Sequence, residues 1–410
     1  MAITRLLTAK RKNGWTFGFE NDIDFYGLCG CAEPNKLDLV MVMRVLSKMK
    51  DMGLSSINDF EATYLNIISE AKKLKKFQWT SFIPLNFASS DDIHFGQITL
   101  FGVTFRFHGA DYVEKQIRKS DLDSLIERIR IATQWKLRDL PTCWLTCRTS
   151  NVDFFQSWKD IDLSLYALRS LIELSARAFT FKTSYPLFHP RFNLPFPLFV
   201  IGTSDTGRRE FNYFRKLYDE TMEKTFEINS NAWRVVINNA RKLRRPLKDN
   251  STELLLAHCL KAYSQSIDEI EENRCLLSLW QMAESLTLSQ NFGGKTQEVC
   301  ARLAGFSSIM KNVDSSMLMD ALSVIADNRN EIVHAGKNSR VSQEMLNILQ
   351  WVCNTGLLWF INNMRFFKTF NDLELYYQYR TKNESMIKSL KNIIGLIKKE
   401  RKTNKLSSSK

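Results

Sequence analysis

The chain lacks any uninterrupted apolar run long enough to cross a bilayer, which takes about 20 apolar residues in a helix. Its most apolar stretch, residues 346–364, is broken by Asn347, Gln350, Asn354, Asn362 and Asn363. That pattern suits a buried helix at a subunit or domain contact better than a membrane span. A secretory segment is also missing, because the apolar run within residues 1–12 (MAITRLLTAKRK) is too short for a signal core. Cysteine is too sparse to staple the fold: eight thiols scattered over 410 residues make no disulfide framework and suit a reducing compartment. A cytoplasmic location is therefore expected.

Familiar site signatures are lacking too. Cys29 with Cys31, and Cys143 with Cys147, do not have the two-residue spacing of a zinc knuckle, so buried thiols are expected there. Asp22 with Asp24, and Asp91 and Asp92 with His94, read as solvated loop residues beside turns before metal ligands. Phe292-Gly293-Gly294-Lys295-Thr296 has the ending of a phosphate loop, but Ser289 stands where the first glycine belongs and a helix precedes it where a strand is required. No metal or cofactor is expected.

What is present is an ordinary globular composition, 44% hydrophobic and 25% charged, in a chain long enough for two or three domains. The net charge of +13 favours polyanions such as RNA, although proteins that never touch nucleic acid share such a balance.

Taken in order, the first half mixes strand and helix patterns. Loose alternation over residues 15–28 predicts one or two strands with a turn near residues 20–22. Helical spacing follows over 37–49 and 59–74. Residues 93–108 predict a strand pair with Phe101, Val103, Phe105 and Phe107 on one face. An amphipathic helix is expected over 122–135, a strand over 142–147 and a strong helix over 163–179. Pro186, Pro190, Pro195 and Pro197 then force an extended loop, with an edge strand at 198–201 and a helix over 210–228.

Arg241, Lys242, Arg244, Arg245 and Lys248 surround Pro246 and mark a linker; the preferred account of these cations is a solvated basic face, with an RNA clamp second. Beyond it every segment has helical period: 252–267, 271–288, 296–310, 315–335, 342–367 and 384–399, then a basic tail. The expected fold class is α+β, with a mixed region over 1–240, a helical bundle over 250–400 and a disordered tail over 401–410.

Chemistry-bearing residues concentrate in Arg329-Asn330-Glu331-Ile332-Val333-His334, which sets polar side chains into an apolar helical run. At about 100° per residue, Asn330 and His334 share a face, Arg329 reaches in from the side, and Leu322, Ile325, Ile332 and Val333 are candidates for the packed side. One account is a satisfied surface, with the histidine beside the helix C-terminal dipole. The other is a site, since imidazole transfers protons near neutral pH and guanidinium binds phosphate.

Arg329-Asn330, three residues and His334 match the RNxxxH form of the motif of the HEPN (higher eukaryotes and prokaryotes nucleotide-binding) superfamily. Leu279-Trp280, with Glu284 and Leu286, resembles the L-W-x-x-x-E-x-L helix of its Apea-like branch, and the likeness spans about residues 250–370. The resemblance implies a helical bundle acting as a homodimer, in which two motifs face each other across a cleft and cleave RNA, tRNA and mRNA being the natural classes, without a metal. It implies His334 as the proton-transfer group, Arg329 on the scissile phosphate and Asn330 positioning them. Glu284 is either catalytic or a salt bridge that orients Arg329. Lys337 and Arg340 are candidate backbone contacts or plain loop cations. The branch's association with host defence implies a toxin or anti-phage (abortive infection) effector. The alternative is a non-catalytic nucleic-acid-binding or scaffold protein that keeps the bundle and senses a trigger through its amino-terminal region.

Overall fold

A computed structural model describes residues 10–11, 14–15, 39–54, 56–73, 76–85, 87–89, 95–117, 143–151, 154–180, 199–207, 209–213, 226–247, 252–269, 271–288, 293–306, 314–335 and 341–380, with 119, 122–124, 127, 388, 391 and 394 singly. It divides into two compact units, Met1–Phe77 and Gln78–Lys410. In the first, β1 (Lys10–Arg11) pairs antiparallel with β2 (Gly14–Trp15). There α1 (Leu39–Asp51) packs on α2 (Ile57–Lys73), each within two residues of its expected bounds.

The second unit holds a six-stranded sheet. Its strands are β3 (Phe77–Leu85), β5 (Gln97–Leu100), β6 (Val103–Gly109), β7 (Cys143–Asn151), β8 (Phe199–Ser204) and β9 (Arg209–Tyr213), in the order β5-β6-β7-β3-β8-β9. A separate short pair joins β4 (Phe87–Ser89) in parallel to β10 (Phe226–Ile228). The helices of this unit are α3 (Ala110–Gln116), α4 (Phe154–Thr180), α5 (Ser230–Lys242), α6 (Thr252–Asp268), α7 (Glu272–Leu286), α8 (Thr296–Ala304), α9 (Ser315–Ala335), α10 (Gln343–Asn363) and α11 (Phe370–Arg380). Sheet and carboxy-terminal helices together make the fold α+β.

Three expectations are corrected. Phe101 is not in the strand face; Phe101 and Gly102 form the two-residue β5–β6 turn with φ of 48° and 86°. Positive φ at both central residues matches the right-handed twist of the flanking strands. The strand near 198–201 is not an edge, since β8 pairs antiparallel with both β3 and β9. The helix expected over 210–228 begins and ends instead as β9 and β10. An Asp205-Thr206-Gly207 turn, with Gly207 at φ 81°, folds Arg209–Tyr213 back on β8 and outweighs the helical spacing. Most of the patterns over 15–28, 122–135 and 384–399 and of the proline-rich loop lies outside the described residues, as do Cys29, Cys31, the Asp22 and Asp91 groups, Lys337, Arg340 and the 401–410 tail.

The layering rests on α4, which touches the sheet on one side and α5 and α6 on the other. Leu165, Ala167, Leu168, Leu171, Ile172 and Leu174 are all at most 1% exposed, as a helix enclosed all round requires. Its first residue, Phe154, lays its ring over Gly202 of β8, where an added Cβ would stand 2.2 Å from the ring carbons. Glycine is required there by contact. Because Phe154 is 3% exposed and has nowhere to turn, Gly202→Ala is expected to overpack the interface and cost about 1–3 kcal/mol. A fall in the urea midpoint checks this, and an unchanged midpoint would show that the ring moves freely.

Candidate active site

Helix α9 starts where Asp314 accepts hydrogen bonds from the amide and hydroxyl of Ser316, both at 2.8 Å. That acceptor satisfies an amide the helix itself leaves open. Leu318, Leu322, Ile325 and Ala326 are buried, and α9 packs against α7, α8 and α10. One turn beyond Ile325 and Ala326 the inward position passes to Arg329, which is half-buried. The packed face ends there: Ile332 is half-buried, Val333 is 48% exposed and His334 is exposed. The expectation that Val333 faces the core is therefore corrected, because a guanidinium takes the place where a further apolar side chain would extend the contact.

Arg329, Asn330 and Glu284 are brought together. The Arg329 Nη1 donates to Asn330 Oδ1 at 3.0 Å, and its Nη2 donates to Glu284 Oε1 at 3.3 Å. Guanidinium carries five N–H donors, so these two bonds leave three for a ligand. The same Glu284 oxygen accepts from Trp280 Nε1 at 2.9 Å. Trp280 is 2% exposed, so an indole fixed in the core holds the carboxylate that in turn holds the guanidinium. Trp280 and Glu284 lie four residues apart on α7, the spacing at which side chains meet. That spacing was the signal for this positioning role, although in the sequence it served only to match a motif.

His334 stands apart. It lies in the last turn of α9, four residues past Asn330 on the same face, and among the described residues it has no hydrogen bond or ion pair to the other three. One chain thus presents a partly exposed guanidinium held by two neighbours and, a turn beyond, an exposed imidazole. Cys143 and Cys147 are buried, and burial pushes both thiols up to about 12. At that value they are neutral thiols in the core and not thiolate ligands.

The Arg329 and Glu284 side chains are 25% and 29% exposed. A pair so open to water contributes about 0.2–1 kcal/mol after screening, whereas deleting a buried tryptophan costs about 3–5 kcal/mol. Denaturation of the two variants is expected to show Glu284→Gln close to wild type and Trp280→Ala far below it. A large loss for Glu284→Gln would make the carboxylate a structural support and not a holder of Arg329.

Searches against protein-family models, curated proteins and solved structures returned no match for this chain, so its function is argued from its own residues and geometry.

Proposed function

We propose that the chain is a HEPN-type RNA endonuclease whose carboxy-terminal helices, residues 250–400, form the catalytic bundle. The observation that carries this reading is the Glu284–Arg329–Asn330 constellation on two packed helices, with His334 exposed one turn further along. RNA brings its own nucleophile. In the reaction the 2′-hydroxyl gives its proton to one imidazole and attacks phosphorus, the phosphorus–O5′ bond breaks, and O5′ takes a proton from a second acid. The products are a 2′,3′-cyclic phosphate and a 5′-hydroxyl. Arg329 offers its three remaining donors to the phosphorane oxygens, where stabilisation of developing charge has most effect. Asn330 and Glu284 keep the guanidinium from wandering.

One imidazole per chain leaves either base or acid missing, so we place two chains across one cleft, each supplying Arg329, Asn330 and His334. No helix among the described residues is long and apolar enough to cross a membrane. We place the enzyme in the cytoplasm, where its free buried thiols suit a reducing compartment, as a toxin or anti-phage effector acting on cellular RNA such as tRNA or mRNA.

Purified protein is expected to cleave RNA in EDTA and leave 2′,3′-cyclic ends. His334→Ala and Arg329→Ala are each expected to lose about 10²-fold or more. Mixing these two inactive chains puts one His334 and one Arg329 in a shared cleft, so the mixture is expected to cleave faster than either parent and slower than wild type, which has both imidazoles. Cleavage that stops on chelation and returns with magnesium would overturn the mechanism. Undiminished cleavage by a monomer would overturn the shared site, and RNA binding without cleavage would point to the scaffold alternative.

A further inference from the structure

Helix α5 ends in Arg241 and Lys242, and the chain that follows is held rigidly. The Phe101 amide of the β5–β6 turn donates to the Leu243 carbonyl at 2.8 Å, and the Gly102 amide donates to the Arg244 carbonyl at 3.3 Å. Pro246 fills the space left by Gly102, where a Cβ would lie 3.2 Å from its Cγ. Leu243 itself is 1% exposed, so the two arginines beside it project from a fixed backbone. Facing them, the end of α10 contributes Asn362, which accepts a hydrogen bond from the Lys242 ammonium, and the following 3₁₀ turn, Met364–Phe366, contributes Arg365.

These segments enclose an open groove of about 610 Å³, in which Arg241, Lys242, Arg244, Arg245 and Arg365 meet a single carboxylate, Glu253. Five cations from two distant parts of the chain converge, and among the described residues none of the four arginines has an ion pair. One carboxylate leaves most of that positive charge uncompensated, and the mutual repulsion that remains favours an added anion. Next to the lining residue Arg365 in the chain, Phe366 is 60% exposed, and the Arg365 guanidinium lies 4.7 Å from its ring centroid. Exposed aromatic beside clustered cations is the pairing that single-stranded nucleic acids use, with bases stacking on the ring while cations follow the phosphates. A lipid headgroup has no planar ring to place there.

We infer that this groove binds the sugar–phosphate backbone of single-stranded RNA, with Phe366 stacking on a base. The choice of RNA over DNA rests on the proposed ribonuclease function; the groove itself does not. It is also a separate place from the motif. Helix α10 runs about 30 Å from its Ser342 cap, which follows the motif in the chain, to Asn362 at the groove. A strand held there is delivered to the enzyme before its scissile phosphate reaches Arg329.

The test is anisotropy of a labelled, unstructured RNA on the full-length His334→Ala protein, in which binding is read without cleavage. Arg241→Gln with Arg245→Gln and Arg365→Gln is expected to weaken binding at least tenfold. The slope of log affinity against log salt should fall by about 0.7 for each phosphate that is no longer neutralised. Phe366→Ala alone is expected to weaken binding about fivefold or more, with an unchanged circular dichroism melt. Equal weakening by the charge-matched set Arg148→Gln, Arg234→Gln and Lys295→Gln would overturn the inference in favour of diffuse charge. Preferred binding to phosphatidylserine vesicles in phosphatidylcholine would overturn it in favour of a lipid surface. Groove-dependent RNA binding alongside a wild-type protein that cannot cleave would sustain the groove and defeat the ribonuclease reading alone.

Discussion

The second unit depends on one enclosed ion pair. Arg169, in the middle of α4, donates from Nη1 to Asp268 Oδ2 at 3.0 Å and to Ser264 Oγ at 2.8 Å, and from Nη2 to Asp268 Oδ1 at 2.7 Å. The two charged side chains are 3% and 5% exposed. Removing both from water costs several kcal/mol per ion, so only a forked, fully bonded geometry can offset it. The pair therefore contributes little net stability. What it contributes is position, because a residual unpaired charge would cost about 3–5 kcal/mol and every other rotation or slide of α4 against α6 creates one. Ser170 adds a second peg beside it, donating to the Leu260 carbonyl at 2.6 Å.

From that pair the constraint runs outward in both directions. Toward the sheet, α4 is seated by Phe154 on Gly202. Toward the carboxy-terminal helices, α6 fixes α7, and α7 is locked at its end by Tyr377, whose hydroxyl donates to the Leu286 carbonyl at 2.7 Å. Gly356 lets α10 close on the same point, since a Cβ there would meet Leu286 at 2.6 Å and Phe306 at 3.0 Å. Glu284 lies two residues before this clamp. The guanidinium of Arg329 is thus held at the end of a line of packed contacts.

How much of this was legible in the sequence follows the physics of each element. The carboxy-terminal helices α6 to α10 were, with α9 matching the expected 315–335, because a long apolar stripe at helical period is local information, whereas α11 (Phe370–Arg380) fell between the helices expected over 342–367 and 384–399. Buried thiols at Cys143 and Cys147 were legible because their spacing is not that of a zinc knuckle and free cysteine is commonly buried. Strand order was not: β8 is interior only because β9 returns beside it, and a non-local partner decides that. Helix α5 was passed over although Asn229 caps it, accepting from the Ala232 amide at 2.9 Å, since its short amphipathic run ends in the cations that drew attention as a linker. The contact of Glu284 with Arg329 was expected on either account of the carboxylate, and so its presence does not choose between them.

The electrostatics of the candidate site point to a division of labour. Arg329 and Glu284 sum to zero net charge at 3.3 Å, and beyond a Debye length of about 8 Å such a pair exerts almost no pull on a phosphate. Holding the guanidinium has a cost in attraction and a gain in order, because a side chain carrying about 2 kcal/mol of rotamer entropy is already placed when its ligand arrives. Attraction must then come from cations that are not neutralised by a neighbouring carboxylate. The +13 surplus of the chain supplies it generally, and the Arg241 to Arg245 segment with Arg365 concentrates it in one groove. Capture by unpaired cations and orientation by a paired one are opposing demands on a single arginine, and under the proposed function they fall to different residues.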